Sequence, residues 1–138
     1  MALLVFDEQI ANPKLVGALQ DRGIDARTVG DFGVTGRPDP DVVRRVQDGL
    51  SSKAWVLVTM DLTIVEEHEG FKWERYALAW IKVRDGLLGV KFEQEKANIV
   101  QRHAHLICQQ TAGQHYTYTA RAHFKNPPRL ALPGRRQK

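Results

Sequence analysis

The chain reads as a three-layer α/β/α domain built around a mainly parallel sheet of four to five strands, and three observations predict this. The runs Ala2-Leu3-Leu4-Val5-Phe6 and Trp55-Val56-Leu57-Val58-Thr59 are apolar without polar alternation, the pattern of strands covered on both faces. Amphipathic stretches with their own start and stop signals separate the candidate strands. The connections between them are short, which implies right-handed β-α-β units.

The first strand is expected over 2–6. Asn12-Pro13 then opens a helix, with Asn as N-cap and Pro at the first helical position. Leu15, Val16 and Leu19 form its apolar face and Gly23 stops it. Ile24 to Val29 reads as the second strand, followed by a glycine-rich loop to Pro38. Asp39-Pro40 starts a second helix, with Val42, Val43, Val46 and Leu50 at helical spacing before Ser51-Ser52. Trp55 to Thr59 is the third and central strand. Signals are mixed over Leu62 to Gly70, and the dense apolar content of Phe71 to Arg84 suits either a helix or a helix passing into a strand, of which a helix ending near Asp85-Gly86 is favoured. Leu87 to Phe92 is expected as a fourth strand. Glu93 to Thr111 is a long helix with Ile99, Val100, Ala104, Ile107 and Cys108 on its inner side. In Gln114 to Phe124, Tyr116, Tyr118 and Ala120 alternate with polar residues, as in a half-exposed strand at the sheet edge. Residues 1–126 are thus expected as one domain, and 127–138, with proline, glycine and four basic residues from Arg129 on, as a basic flexible tail.

A chain of 138 residues with 43% hydrophobic and 26% charged content has room for one hydrophobic core and no second domain. Its apolar runs fall well short of the roughly 20 residues that cross a bilayer, and the first residues lack a signal-peptide pattern. No membrane association and a cytoplasmic location are therefore expected. Cys108, the single cysteine, has apolar neighbours and reads as a small buried hydrophobe. Net charge is +4 with pI near 9.4. From Gln101 onward there are Arg and Lys but no Asp or Glu, a cationic third that suits either solubility or a polyanion such as nucleic acid.

The chemistry points to three carboxylates. Asp7 follows the first strand, Asp61 follows the third, and Asp41 lies in the first turn of the second helix. In an open α/β sheet these positions approach the crevice beyond the carboxyl ends of the strands, where ligands bind. Converging carboxylates repel one another and recruit a hard divalent cation, Mg²⁺ or Mn²⁺. Each has a plainer reading: Asp7 or Asp61 as a turn former, Asp39 as an N-cap, Asp41 as a charge favoured at the helix N-terminus. Glu8 is a weaker further candidate for the metal, since successive side chains at a strand end point apart.

Four segments together resemble compact PIN-like nuclease domains, the kind found as VapC-type toxins in bacterial toxin-antitoxin pairs. They are Val5-Phe6-Asp7-Glu8, Leu19-Gln20-Asp21-Arg22-Gly23-Ile24-Asp25, Pro38-Asp39-Pro40-Asp41-Val42 and Val56-Leu57-Val58-Thr59-Met60-Asp61. The resemblance covers Leu3 to Phe92 well and the rest loosely. It implies that Asp7, Asp41 and Asp61 hold Mg²⁺ or Mn²⁺ and form the catalytic centre of a ribonuclease that hydrolyses RNA phosphodiesters, with an antitoxin as partner. Thr63 departs from the pattern, because many relatives carry a further Asp there; Glu66 and Glu67 are the nearby acids that would substitute.

RNA approaching so acidic a site needs cations around it, for which Arg37, Arg121, Lys125, Arg129, Arg135 and Arg136 are candidates. Tyr116 and Tyr118 are candidates for stacking on unpaired bases. His103 and His105 lie two positions apart, so on a helix they face different directions and do not form a zinc pair. The three tryptophans, Trp55, Trp73 and Trp80, suit a core or the docking of an antitoxin or second subunit, a homodimer included. Two alternatives remain: a catalytically silent PIN-like module that binds RNA or protein, motivated by Thr63, and a receiver-like phospho-acceptor domain using Asp7, Glu8 and Asp61. A receiver needs a lysine just after its fifth strand, and no clear candidate for it appears.

Overall fold

The computed structural model describes residues 2–33, 39–50, 54–60 and 76–125, with backbone alone at 39–43 and 124–125. Among these residues five parallel strands form one sheet: β1 (Leu3–Phe6), β2 (Ala26–Thr28), β3 (Trp55–Thr59), β4 (Tyr76–Ile81) and β5 (His115–Tyr118). A short antiparallel strand, β6 (His123–Lys125), closes one edge. The order across the sheet is β2-β1-β3-β4-β5-β6. Among the described residues three helices cover it: α1 (Pro13–Asp21), α2 (Asp39–Leu50) and α3 (Gly89–Cys108). This is the three-layer α/β/α arrangement the sequence predicts.

The layers follow from alternation within strands that are buried on both faces. Leu4 and Phe6 of β1, Val56 and Val58 of β3, and Ala77, Ala79 and Ile81 of β4 pack with α1 and α3 in one cluster. Leu3, Val5, Trp55, Leu57, Tyr76 and Leu78 point the other way, against Val29 in the 3-10 turn after β2 and Val46 of α2. At the amino ends of their strands the Trp55 and Tyr76 rings stack 4.8 Å apart. No helix among the described residues is long and apolar enough to cross a membrane.

α1 is delimited as its sequence predicts. The Asn12 side chain accepts from the backbone N–H of Lys14 at 2.8 Å and of Leu15 at 3.4 Å, and Pro13 needs no acceptor at the first position. At the other end Gly23 takes φ +81°, while Gly23 N donates to Gln20 O and Ile24 N to Leu19 O. This paired closure requires the left-handed backbone that glycine adopts without steric cost.

Two expectations fail, and one packing fact explains both. Residues 76–81, expected within a helix, form β4; Leu87 to Phe92, expected as the fourth strand, is instead a loop running into α3, which begins at Gly89. Length and apolar content do not separate a buried strand from a buried helix turn. The slot beside β3 goes to Tyr76-Ala77-Leu78-Ala79-Trp80-Ile81, whose Tyr, Trp and Ile suit a pleated surface. Leu88 and Val90, left outside, are 83% and 71% exposed. The long helix therefore starts four residues before the expected Glu93, and it ends at Cys108 rather than Thr111.

The C-terminal edge differs too. Gln114 to Phe124, expected as one strand, is a hairpin of β5 and β6, so β5 is interior and β6 is the edge. Pro127-Pro128 and the expected tail at 127–138 lie outside the described residues.

Leu57 sits at the middle of β3 with no exposed surface. Leu57→Ala is expected to cost about 2–5 kcal/mol, read as a lower urea midpoint at unchanged slope.

Candidate functional site

β1 connects to β2 on one side and the chain then returns past β1 to β3 on the other, so strand order reverses between β1 and β3. Ligand crevices of open α/β sheets lie beyond the carboxyl ends of the strands at such a reversal, for this 2-1-3-4-5 order between the first and third strands. Asp7 stands there. Its backbone N–H donates to Val58 O at 2.9 Å, continuing the ladder one residue past β1. Its side chain is held at both oxygens: Oδ2 accepts from the Thr59 hydroxyl at 2.9 Å and Oδ1 from Glu8 N at 2.8 Å.

Asp7 is 7% exposed and Thr59 is fully buried, so this is an oriented carboxylate at the base of the crevice. The bond from Glu8 N belongs to the 3-10 turn Glu8–Ile10, which Asp7 caps, and satisfies the plain turn-forming role. The bond from Thr59 comes from the neighbouring strand and exceeds that role. Glu8 itself lies exposed on the turn.

Of Asp41 and Asp61, only Asp41 is described, and by its backbone alone. α2 packs on the face reached by Leu3, Val5 and Leu57, and its first turn contains Asp41. That turn follows β2, so the positive end of α2 is directed to the carboxyl rim. The Asp39 and Asp41 side chains, Asp61, Thr63, Glu66 and Glu67 lie outside what is described. Among the described residues no three His, Cys, Asp or Glu groups form a metal-holding cluster.

Two contributors carry no sequence motif. One is Thr59, the partner of Asp7. The other is Lys96, buried on α3, whose Nζ donates to Gln9 O at 3.1 Å and pairs with Glu93 at 2.7 Å. It lies 5.5 Å above the Phe92 ring. Lys96 thus ties α3 to the turn that begins at Asp7. Period-3.6 spacing with Ile99, Val100 and His103 places it on the buried side of α3, the one signal that could have singled it out.

The cationic candidates separate. Arg121 is exposed in the turn between β5 and β6, on the same carboxyl rim. The Thr119 hydroxyl accepts from the N–H groups of Arg121 and Ala122 and shapes this turn. β6 runs back from the rim, so Lys125, opposite Tyr116, is carried away from it. Arg37, Arg129, Arg135 and Arg136 are outside the described residues, as is Trp73.

The tyrosines are not open platforms. Tyr118 is buried, its hydroxyl donates to Gln110 Oε1 at 2.6 Å, and burial pushes its pKa well up. Tyr116 and Tyr118 stack on each other at 6.0 Å. β5 turns this face onto α3, which removes Tyr118 from base stacking.

His103 is buried, whereas His105 is exposed on another side of α3. The His103 Nε2 lies 2.9 Å from Thr119 O. A carbonyl only accepts, so Nε2 carries the proton. Burial, the dominant influence, holds the His103 pKa below its ordinary value. Cys108 is buried as expected, and burial raises its thiol pKa.

Comparison with protein-family models, curated proteins and solved structures finds no match for this chain.

Because His103 has a folded-state pKa below that of the unfolded chain, unfolding takes up protons once pH drops under about 6.5. Stability present above that pH is then lost as pH falls through the lowered folded value. Urea midpoints at neutral and mildly acidic pH should fall further for the wild type than for His103→Gln.

Proposed function

We propose that this chain is a metal-dependent endoribonuclease of PIN-like type, with Asp7, Asp41 and Asp61 as the acidic centre and RNA as substrate. The observation that carries the reading is the Asp7 carboxylate, buried and oriented by Thr59 at the strand-order reversal. Its hard oxygens fit Mg²⁺ or Mn²⁺ in kind. A cation bound by Asp7, Asp41 and Asp61 would supply Lewis-acid stabilisation of the charge developing on the phosphate.

The chain's own groups do the rest. Asp7 has its orientation set in advance, so little reorganisation is needed when charge develops nearby. Thr59 holds Oδ2, and Lys96 holds the turn that begins at Asp7. Arg121, exposed on the same rim, offers a cation to phosphates of the incoming strand. Hydrolysis adds water across the P–O bond and leaves phosphate and hydroxyl ends, with no protein nucleophile. In a toxin of this kind, an antitoxin that covers the rim would block the acidic pocket.

A second reading has one observation in its favour: the 2-1-3-4-5 order is also that of receiver domains. Yet Thr119, Ala120 and Arg121 follow β5, where a receiver has its lysine. The nuclease reading accounts for more of the rim.

Purified protein with labelled total RNA should cleave in Mn²⁺ or Mg²⁺ and not in EDTA. Asp7→Asn and Asp61→Asn should each lower the rate by more than the ~10–100-fold that loss of an outer-shell partner costs. Cleavage indifferent to EDTA and to both substitutions would refute the mechanism. Thr59→Val, which removes the hydroxyl donor and keeps the shape, should slow cleavage within that ~10–100-fold range; its thermal melt checks that the fold survives.

A further inference from the structure

On the face covered by α1 and α3, where α3 passes the loops that follow β4 and β5, there is a cavity of about 430 Å³. Small-ligand sites commonly span ~300–1,000 Å³. α3 supplies one wall through Lys91, Gln94, Asn98 and Arg102, spaced at three and four residues and so aligned along one side of the helix. Leu87, Ile99 and Ala120 give it apolar surface.

The lining cations are Arg84, Lys91 and Arg102, against the single carboxylate of Glu95. That carboxylate is fully engaged by Arg84. Arg84 N donates to Oε2 at 3.0 Å, its Nε to Oε1 at 2.8 Å, and its Nη2 lies 2.8 Å from Oε1. These bonds hold the Glu95 pKa below the ordinary carboxylate value. Glu95 therefore stays charged and balances Arg84, which leaves Lys91 and Arg102 with no carboxylate to balance them among the lining residues.

The remaining donors are lightly used among the described residues. Lys91, Gln94 and Asn98 make no side-chain hydrogen bond or ion pair among the described residues. Arg102 donates from Nη1 to Ala120 O at 2.7 Å, which spans the gap to the turn after β5 and fixes the guanidinium plane. A guanidinium has five N–H donors, so most of that fork can still meet an acceptor. Two cations and two amides around one cavity, with one wall braced by an ion pair, suit an anion rich in acceptor oxygens.

We propose that this cavity binds a backbone phosphate of the RNA strand, away from the bond that is cut, with Lys91 and Arg102 on its oxygens and Gln94 and Asn98 beside the adjoining ribose or base. The proposal rests on the ribonuclease reading for the identity of the polyanion. Position agrees with it: β4 and β5 stand two and three strands from β1, roughly 10–14 Å along the rim from Asp7 at the usual strand spacing. A bound strand would cross the carboxyl rim from this cavity toward Asp7.

The test is binding of a short fluorescent single-stranded RNA, followed by anisotropy in EDTA over a salt series, with cleavage in Mn²⁺ measured in parallel. The proteins are the wild type, Lys91→Ala, Arg102→Gln and, as a control on the opposite face, Arg45→Ala of α2. Each cavity variant should weaken binding and flatten the slope of log affinity against log salt by about 0.7, the value for one phosphate contact to a single strand. Arg45→Ala should change neither. Lys91 is exposed and makes no side-chain bond among the described residues, so its truncation is expected to leave the fold intact; a thermal melt checks both cavity variants.

Wild-type affinity and slope in both cavity variants would overturn the proposal, as would an equal loss in Arg45→Ala. In either case Asp7-dependent cleavage would still stand. A wild type that binds no RNA overturns the proposal whether or not it cleaves. Loss of binding in the cavity variants, with no cleavage by the wild type, would keep the cavity and remove the nuclease.

Discussion

The parallel pairing of β1 with β3 is the constraint on which the site depends. Both strands are fully buried, and their register sets Phe6 opposite Val58. A slip of one residue would turn every side chain to the other face and mismatch the packing of both cores. With the register locked, Asp7 and Thr59 emerge at one level and their side chains meet. The carboxylate is thus oriented by sheet geometry, and its position follows from the packing of Leu3, Val5, Val56 and Leu57 far more than from the loop around it.

α3 is the second organising element. Its buried residues recur as adjacent pairs from Glu95 and Lys96 to Ile107 and Cys108, a stripe that follows the 3.6-residue period. Cys108 O accepts from Ala2 N, Gln101 O from Arg22 Nη1, and the Gln110 amide just beyond the helix donates to Leu78 O while its oxygen accepts from Tyr118. These bonds reach β1, α1, β4 and β5 in turn. The polar groups on the buried side of α3 are therefore matched to particular neighbours. The cavity-facing side, with Lys91, Gln94 and Asn98, is not. That contrast within one helix separates groups that hold the fold from groups with capacity for a ligand.

Much of this was legible locally. Asn12-Pro13 and Gly23 delimit α1 because caps and left-handed closures are properties of a few adjacent residues. The runs at β1 and β3 declare double-sided burial by lacking polar alternation, and with them the parallel α/β class. Asp7 stands out as a candidate by its place directly after such a run. Thr59 and Lys96 do not stand out, because a threonine ending a strand and a lysine in a helix are common and acquire meaning only from what they face.

The chain by itself determined the layer architecture, the helix starts at Asn12 and Asp39, and the buried character of β1, β3 and Cys108, since periodicity and capping are short-range effects. The tertiary structure decided the rest. It assigned the place beside β3 to residues 76–81 and left Leu88 and Val90 in solvent; it folded Gln114 to Phe124 into a hairpin, burying Tyr118 and turning Lys125 from the rim. It also joined Asp7 to Thr59 and set Arg84, Lys91 and Arg102 around one cavity. Such outcomes depend on which segments compete for one slot in the sheet and on contacts between residues distant in sequence, and no local pattern encodes either.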